Sequence, residues 1–242
     1  MNYFELVGPP NRNMRRELDR THDEIRWLEK RLGPYPFPNY GILPFEGDYE
    51  GALETQTLST INASDLSAGK GKSPALLTTH ELAHQWFGNH VAISDWKDMW
   101  MSEGHARFYE YAYPADRGLL NDPDTGEKLD MNLTMRKLYK TDQQDRNEYG
   151  PPAAPLTDTA AFGNSTYNGG ALALYALQEK VGKATFIKIE KEFLRAYGGK
   201  NASTDDYIRT ASEVSGRNLN DFLKEWLDGA KAPPMPNHPD WY

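Results

Sequence analysis

His80-Glu81-Leu82-Ala83-His84, continued by Gln85-Trp86-Phe87-Gly88-Asn89, is the stretch on which the reading of this chain turns. Two imidazoles four residues apart lie one above the other on a helix, close enough to share a zinc ion, and the glutamate between them meets the water such an ion binds. Local signals place that helix. Ser73 and Pro74 read as a cap and a first helical position, Gly88 as a stop, and the turns between set Leu76, His80, Ala83, His84 and Phe87 on one buried stripe. An open catalytic zinc site takes three protein ligands and a water. The chain has no cysteine, so the third ligand is a His, Asp or Glu, with Glu103 the best candidate, in Trp100-Met101-Ser102-Glu103-Gly104-His105-Ala106. Ser102 reads as the cap of a second helix ended by Pro114. That puts Glu103 in a first turn, where the helix dipole favours the ionised carboxylate a metal requires.

Eighteen residues separate His84 from Glu103. With this spacing, the blocks around the two histidines and around Glu103 resemble the two zinc-ligand blocks of the gluzincin aminopeptidases, the family of aminopeptidase N and leukotriene hydrolase. Tyr167-Asn168-Gly169-Gly170-Ala171 resembles that family's catalytic-tyrosine block and lies at a similar distance beyond the glutamate ligand. Gly51-Ala52-Leu53-Glu54-Thr55 is similar to a divergent form of its Gly-x-Met-Glu-Asn exopeptidase motif, with Leu53 for methionine and Thr55 for asparagine. The resemblance implies a zinc-dependent aminopeptidase with one Zn2+ per chain, acting on peptides with a free N-terminus. It also implies a thermolysin-like α+β catalytic domain. Family members normally carry a β-rich domain ahead of the zinc domain and often a helical one behind it, so this chain is expected to be the catalytic part alone.

Each residue has a chemical role in that reading. Glu81 takes the proton of the attacking water and later passes it to the leaving amine. Tyr167 would stabilise the charge that grows on the carbonyl oxygen, a role only the resemblance assigns, since most of the 14 tyrosines must be packing or surface residues. A carboxylate at Glu54, at the closed end of a cleft, would bind the cationic N-terminus and set its distance from the metal. Residues 51–57 alternate like a strand; at a sheet edge, the backbone of Gly51, Ala52 and Leu53 could pair with an extended peptide. The competing reading of Glu54 is a solvent-facing strand residue. Glu110, seven positions beyond Glu103, could orient a zinc-bound imidazole, and Asp98 is a less specific candidate for the same task. His90 and His105 read as packing or hydrogen-bonding residues, and His22 and His238 belong to no constellation. The Asn-x-Ser/Thr matches at Asn62, Asn132, Asn164 and Asn201 are too short a pattern to carry function.

Composition narrows the rest. At 242 residues with 38% hydrophobic side chains the chain buries a sizeable core, and it reads as soluble and globular. A net charge of −8 without a cluster of lysine or arginine argues against nucleic acid or an acidic membrane as partner. Met1 to Pro10 lack the basic start and apolar core of a signal peptide, and the longest uncharged stretch, 159–178, contains too many Gly and Asn to span a membrane. The compartment and the oligomeric state stay open.

The resemblance implies one catalytic domain over 1–242, and periodicity fits a sheet and zinc-helix lobe at 1–115 and a helical lobe at 116–242. Met14, Leu18, Ile25, Leu28 and Leu32 mark a helix stopped by Gly33-Pro34, and 40–60 reads as two or three short strands. A charged helix follows at about 127–149, with Leu129, Leu133 and Met135 pointing at least partly inward. Helices at 166–181, 183–197, 204–215 and 219–227 are separated by glycines, and Pro233-Pro234-Met235-Pro236 is expected to be extended. Two rivals remain: a zinc endopeptidase or other zinc hydrolase freed from exopeptidase action, and a non-catalytic module that keeps zinc for structure.

Overall fold

The first apolar period builds α1 (Arg12–Leu32), which Gly33 ends at φ +101°, donating its N–H to Glu29 O at 3.0 Å. The computed structural model describes residues 12–47, 51–67 and 74–241, so the cap expected at Ser73 and the leader reading of Met1 to Pro10 lie outside the described residues. Strands β1 (Gly41–Phe45), β2 (Ala52–Leu53) and β3 (Leu58–Asn62) form a sheet of order β1-β3-β2. β1 is parallel to β3, and β2 is antiparallel at the edge. The strand expected over 51–57 is cut to two residues because the chain turns after it: Leu58 N–H donates to Thr55 O at 3.0 Å, and Thr57 has φ +67°.

α2 (Ala63–Ser67) and α3 (Pro74–Ala83) come next, followed by β4 (Val91–Ile93) and a 3-10 turn at Trp96–Asp98. α4 (Trp100–Asp116) corrects two expectations. It starts ahead of Ser102, with Met99 at the N-cap, and it runs past Pro114, whose missing N–H falls in the last turn. α5 (Met131–Tyr149) starts later than expected because Asp130 caps it, accepting from Leu133 N–H at 2.8 Å. Leu133, expected inward, is exposed, whereas Met135 is buried.

A 3-10 turn at Thr159–Phe162 and a π-helical turn at Ser165–Gly169 lead into α6 (Gly170–Val181) and α7 (Lys183–Tyr197). β5 (Lys200–Ala202) pairs in parallel with β4, which ties the exit of the histidine segment to the helical half. α8 (Thr204–Ser215) opens on a Ser203/Asp206 capping box, and α9 (Asn220–Asp228) follows. Residues 233–235 carry no regular structure, and the stretch expected to be extended turns at Pro236 and Asn237. Buried apolar side chains from Met14 to Trp241 form one cluster around Trp86, Trp100 and Trp226. No helix among the described residues is long and apolar enough to cross a membrane.

Candidate metal centre

Every residue from 78 to 87 is buried, so the histidine segment runs through the interior and the expected single stripe was too narrow. Regular α-helix also ends before Gly88. After Ala83 the turns first tighten, with Gln85 and Trp86 donating three residues back, and then widen: Asn89, His90 and Val91 donate their N–H groups to the carbonyls of His84, Gln85 and Trp86, each five residues back, at 3.0, 3.1 and 3.1 Å. Gly88, at φ +118°, sits inside this widened turn, where a Cβ would lie 2.7 Å from Ser102 Oγ.

The three expected ligands converge. His80 Nε2 and His84 Nε2 are 3.2 Å apart, and each lies 3.3 Å from Glu103 Oε2. Tetrahedral bonds of about 2.0–2.1 Å place ligand atoms about 3.3–3.4 Å apart, so this triangle has the size of one face of a zinc tetrahedron. Glu103 Oε2 is buried without a hydrogen-bond donor, a situation that a cation relieves. Both imidazoles are held through the other nitrogen. His80 Nδ1 meets Glu110 Oε2 at 2.8 Å, while His84 Nδ1 meets Ser102 Oγ at 3.0 Å and Phe87 O at 3.1 Å. The Ser102 hydroxyl itself donates to Phe87 O, so it accepts from His84 and leaves Nε2 for an ion. The sequence reading anticipated Glu110 and missed Ser102, which it took for a cap.

Electrostatics without a metal follow from burial and neighbours. Burial opposes a charge on His80, but Glu103 and Glu110 beside it overcome this and raise it to about 10. Burial alone would also raise Glu103, yet His84 and His80 hold it far below the usual carboxylate range. Glu81 is pushed up to about 7 by burial, against the pull of His80 and His84. Its Oε2 has no hydrogen-bond partner.

Tyr167 stands on the π-helical turn, not on the first turn of a regular helix. Its ring lies parallel to that of His80, 8° between planes and 6.1 Å between centroids, and its hydroxyl is near enough to Glu103 to feel the carboxylate's charge. Burial, then the charge of Glu103, raises its pKa well above the ordinary phenol value. Two glycines allow this approach. A Cβ on Gly104 would lie 2.9 Å from Gly170 Cα, so α4 and α6 touch backbone to backbone.

Glu54 follows the edge strand and is half-buried. Its carbonyl accepts from Gln85 Nε2 at 3.1 Å and Asn89 Nδ2 at 2.7 Å, which ties the strand end to the histidine segment. The sequence reading assigned neither residue a task. Glu54 raises the pKa of both Glu81 and Tyr167, as a carboxylate facing the same space does. Gly51 is less available than expected: its N–H donates to Asp65 Oδ2 and its C=O accepts from Asn62 N–H, both at 3.0 Å. The alternation of an antiparallel ladder then turns the peptide groups of Ala52 toward the open edge.

Asp98 is corrected. It accepts from Thr204 N–H at 2.9 Å and Thr204 Oγ1 at 2.7 Å and so pins the 3-10 turn to α8 instead of orienting an imidazole. His105 packs as expected, stacked on Phe87 at 3.9 Å with Nδ1 donating to Met101 O at 2.7 Å. His90 stands edge-on to Phe37.

Residues 16–226 match the family model of the Peptidase family M1 domain. The chain belongs to peptidase family M1. It is 28% identical over 208 residues to aminopeptidase M1-B of Oryza sativa subsp. japonica, covering 80% of this chain and 23% of that protein. It is 30% identical over 185 residues to endoplasmic reticulum aminopeptidase 1 of Mus musculus, covering 72% of this chain and 19% of that protein. The crystal structure of an M1 zinc metallopeptidase from Deinococcus radiodurans superposes with a TM-score of 0.76 at 29% identity, over 97% of this chain and 49% of that one. A mutant of that protein bound to a Tyr-Ser-Ala substrate superposes with a TM-score of 0.73 at 29% identity, over 98% and 49%. The chain thus has the mixed fold of an M1 catalytic domain, and it spans about a quarter or less of these curated relatives and half of the solved structure.

Proposed function

We propose that this chain is a zinc-dependent aminopeptidase catalytic domain of thermolysin-like architecture, which hydrolyses the N-terminal peptide bond of a peptide. The observation that carries the reading is the triangle of His80 Nε2, His84 Nε2 and Glu103 Oε2, with Glu81, whose buried Oε2 has no hydrogen-bond partner, on the turn between the histidines. Zinc held by those three residues supplies Lewis acidity toward a carbonyl and a water. Glu81 takes the water's proton and delivers it to the leaving amine. Tyr167 donates its O–H to the carbonyl oxygen as negative charge accumulates there. The Glu54 carboxylate binds the substrate's ammonium group, and Ala52, on the open strand edge, pairs with its backbone. The stretches 1–115 and 116–242 are read as two lobes of one domain meeting at this site. Aminopeptidase names among the relatives support the reaction, and the tripeptide bound to the Deinococcus radiodurans mutant supports a peptide as substrate.

Comparing free with N-acetylated peptides tests the assignment. The zinc-loaded protein should remove single residues from the free peptide and leave the acetylated one intact. Equal cleavage of both would make it an endopeptidase, as the altered residues Leu53 and Thr55 would permit. Stoichiometric zinc without cleavage would leave only a structural metal site.

A further inference from the structure

We propose that Arg107 is a positioning residue that fastens the metal ligand His80 to the ring of Tyr167, with Glu110 as the link. The proposal rests on the zinc-peptidase reading above and adds a residue to it. Arg107 lies one turn beyond Glu103 and one turn before Glu110 on α4, so all three share a face. Its Nη1 donates to both Glu110 oxygens, at 2.7 and 2.8 Å, and Glu110 Oε2 also meets His80 Nδ1 at 2.8 Å. On its other side, the Arg107 Cζ atom stands 5.4 Å from the centroid of the Tyr167 ring and 5.8 Å from that of Tyr111. The Tyr167 ring in turn lies parallel to His80. The contacts close a circuit from α3 through α4 to the π-helical turn and back.

Chemistry explains why a guanidinium occupies this place. Glu110 orients His80 only as a carboxylate, and a buried carboxylate needs a compensating cation. Arg107 provides it through Nη1 and at the same time sets its guanidinium over the tyrosine ring, a cation–π contact that a compact, strongly hydrated lysine ammonium makes less well. Arg107 Nε is buried and has no acceptor, while Nη1 is committed to both oxygens of Glu110. A methionine would fill the space but leave Glu110 only His80 as partner and the ring without its cation.

Zinc dissociation constants, measured on the full chain by competition with a chromophoric chelator, and steady-state kinetics on a free peptide test this. R107M should weaken zinc about 10–100-fold, the usual loss when a ligand's supporting partner is removed. It should also lower kcat about tenfold or more with KM within about threefold, since substrate is not its partner. R107K should hold zinc within about threefold of the parent but keep a lowered kcat. In an E110Q background, adding R107M should weaken zinc less than about twofold further, because Arg107 reaches the metal through Glu110. Parental zinc affinity in R107M, or an equal loss with and without Glu110, would overturn the proposal. If R107M does not fold, R107K decides: an undiminished kcat overturns it. A parent chain that binds zinc but cleaves nothing defeats the peptidase reading alone, because the zinc measurements still judge the link from Arg107 to His80.

Discussion

Each imidazole at the site uses Nδ1 for the protein and keeps Nε2 for the ion, and the supports differ: a carboxylate for His80, a hydroxyl and a carbonyl for His84. Glu81 shares their helix but has no such support, as suits a group that must exchange protons. Glu81→Gln should therefore bind one zinc per chain while kcat falls about 10²–10⁴-fold, checked by elemental analysis beside a peptidase assay. Substantial residual turnover would remove the proposed base. Tyr167→Phe should lower kcat by about 10²–10³-fold with little change in KM, the signature of a donor used in the transition state. Unchanged turnover would return Tyr167 to the packing residues. At this scale the ligands were legible because two histidines at helical spacing leave few geometric options. Ser102, Gln85 and Asn89 were not, because a hydroxyl or an amide has no characteristic spacing from what it supports.

Helices were legible where an apolar period ran between glycines, as in α1 and α7. They were misread where tertiary contacts overrode local signals. Ser102 looks like a cap in sequence but lies inside α4, because Met99 and the preceding 3-10 turn already feed the helix. The histidine segment opens into wider turns and Tyr167 rides on a π-helical turn, and neither departure has a residue pattern that announces it. The crossing of α4 and α6 is the contact that brings Tyr167 to Glu103, and it depends on two bare backbones. Gly170→Ala puts a methyl against Gly104 and should cost about 1–3 kcal/mol of stability in denaturant melts. It should also lower kcat by displacing Tyr167. A variant as stable and active as the parent would show that the helices can separate without consequence.

Across the whole molecule, α1 and α3 share a fully buried carboxylic acid to which no catalytic or binding role is assigned. Glu24 accepts from Thr78 Oγ1 at 2.8 Å and Thr79 Oγ1 at 3.2 Å, and burial pushes its pKa up to about 8, against 4.5 for an ordinary glutamate, with Arg20 and Glu17 the charges that act on it. The folded state then holds a proton that the unfolded chain has released, so this group's contribution to stability is full below pH 4.5 and is lost as pH rises through about 8. The loss is on the order of 4 kcal/mol. Glu24→Gln should flatten this slope, giving a Tm that declines less than the parent's between pH 5 and pH 8; equal slopes would assign the dependence to other groups. Sequence alone determined the candidate metal-binding set, its likeness to one peptidase family and the order of the longer helices, because those depend on spacing along a single chain, whereas α2, β4 and β5 went unread. Tertiary structure alone decided that a glycine pair closes the site, that Gly51 is already hydrogen-bonded while Ala52 is open, and that Arg107 stands between His80 and Tyr167. Such contacts join residues far apart in the chain, and only the packing of the folded molecule brings them within reach.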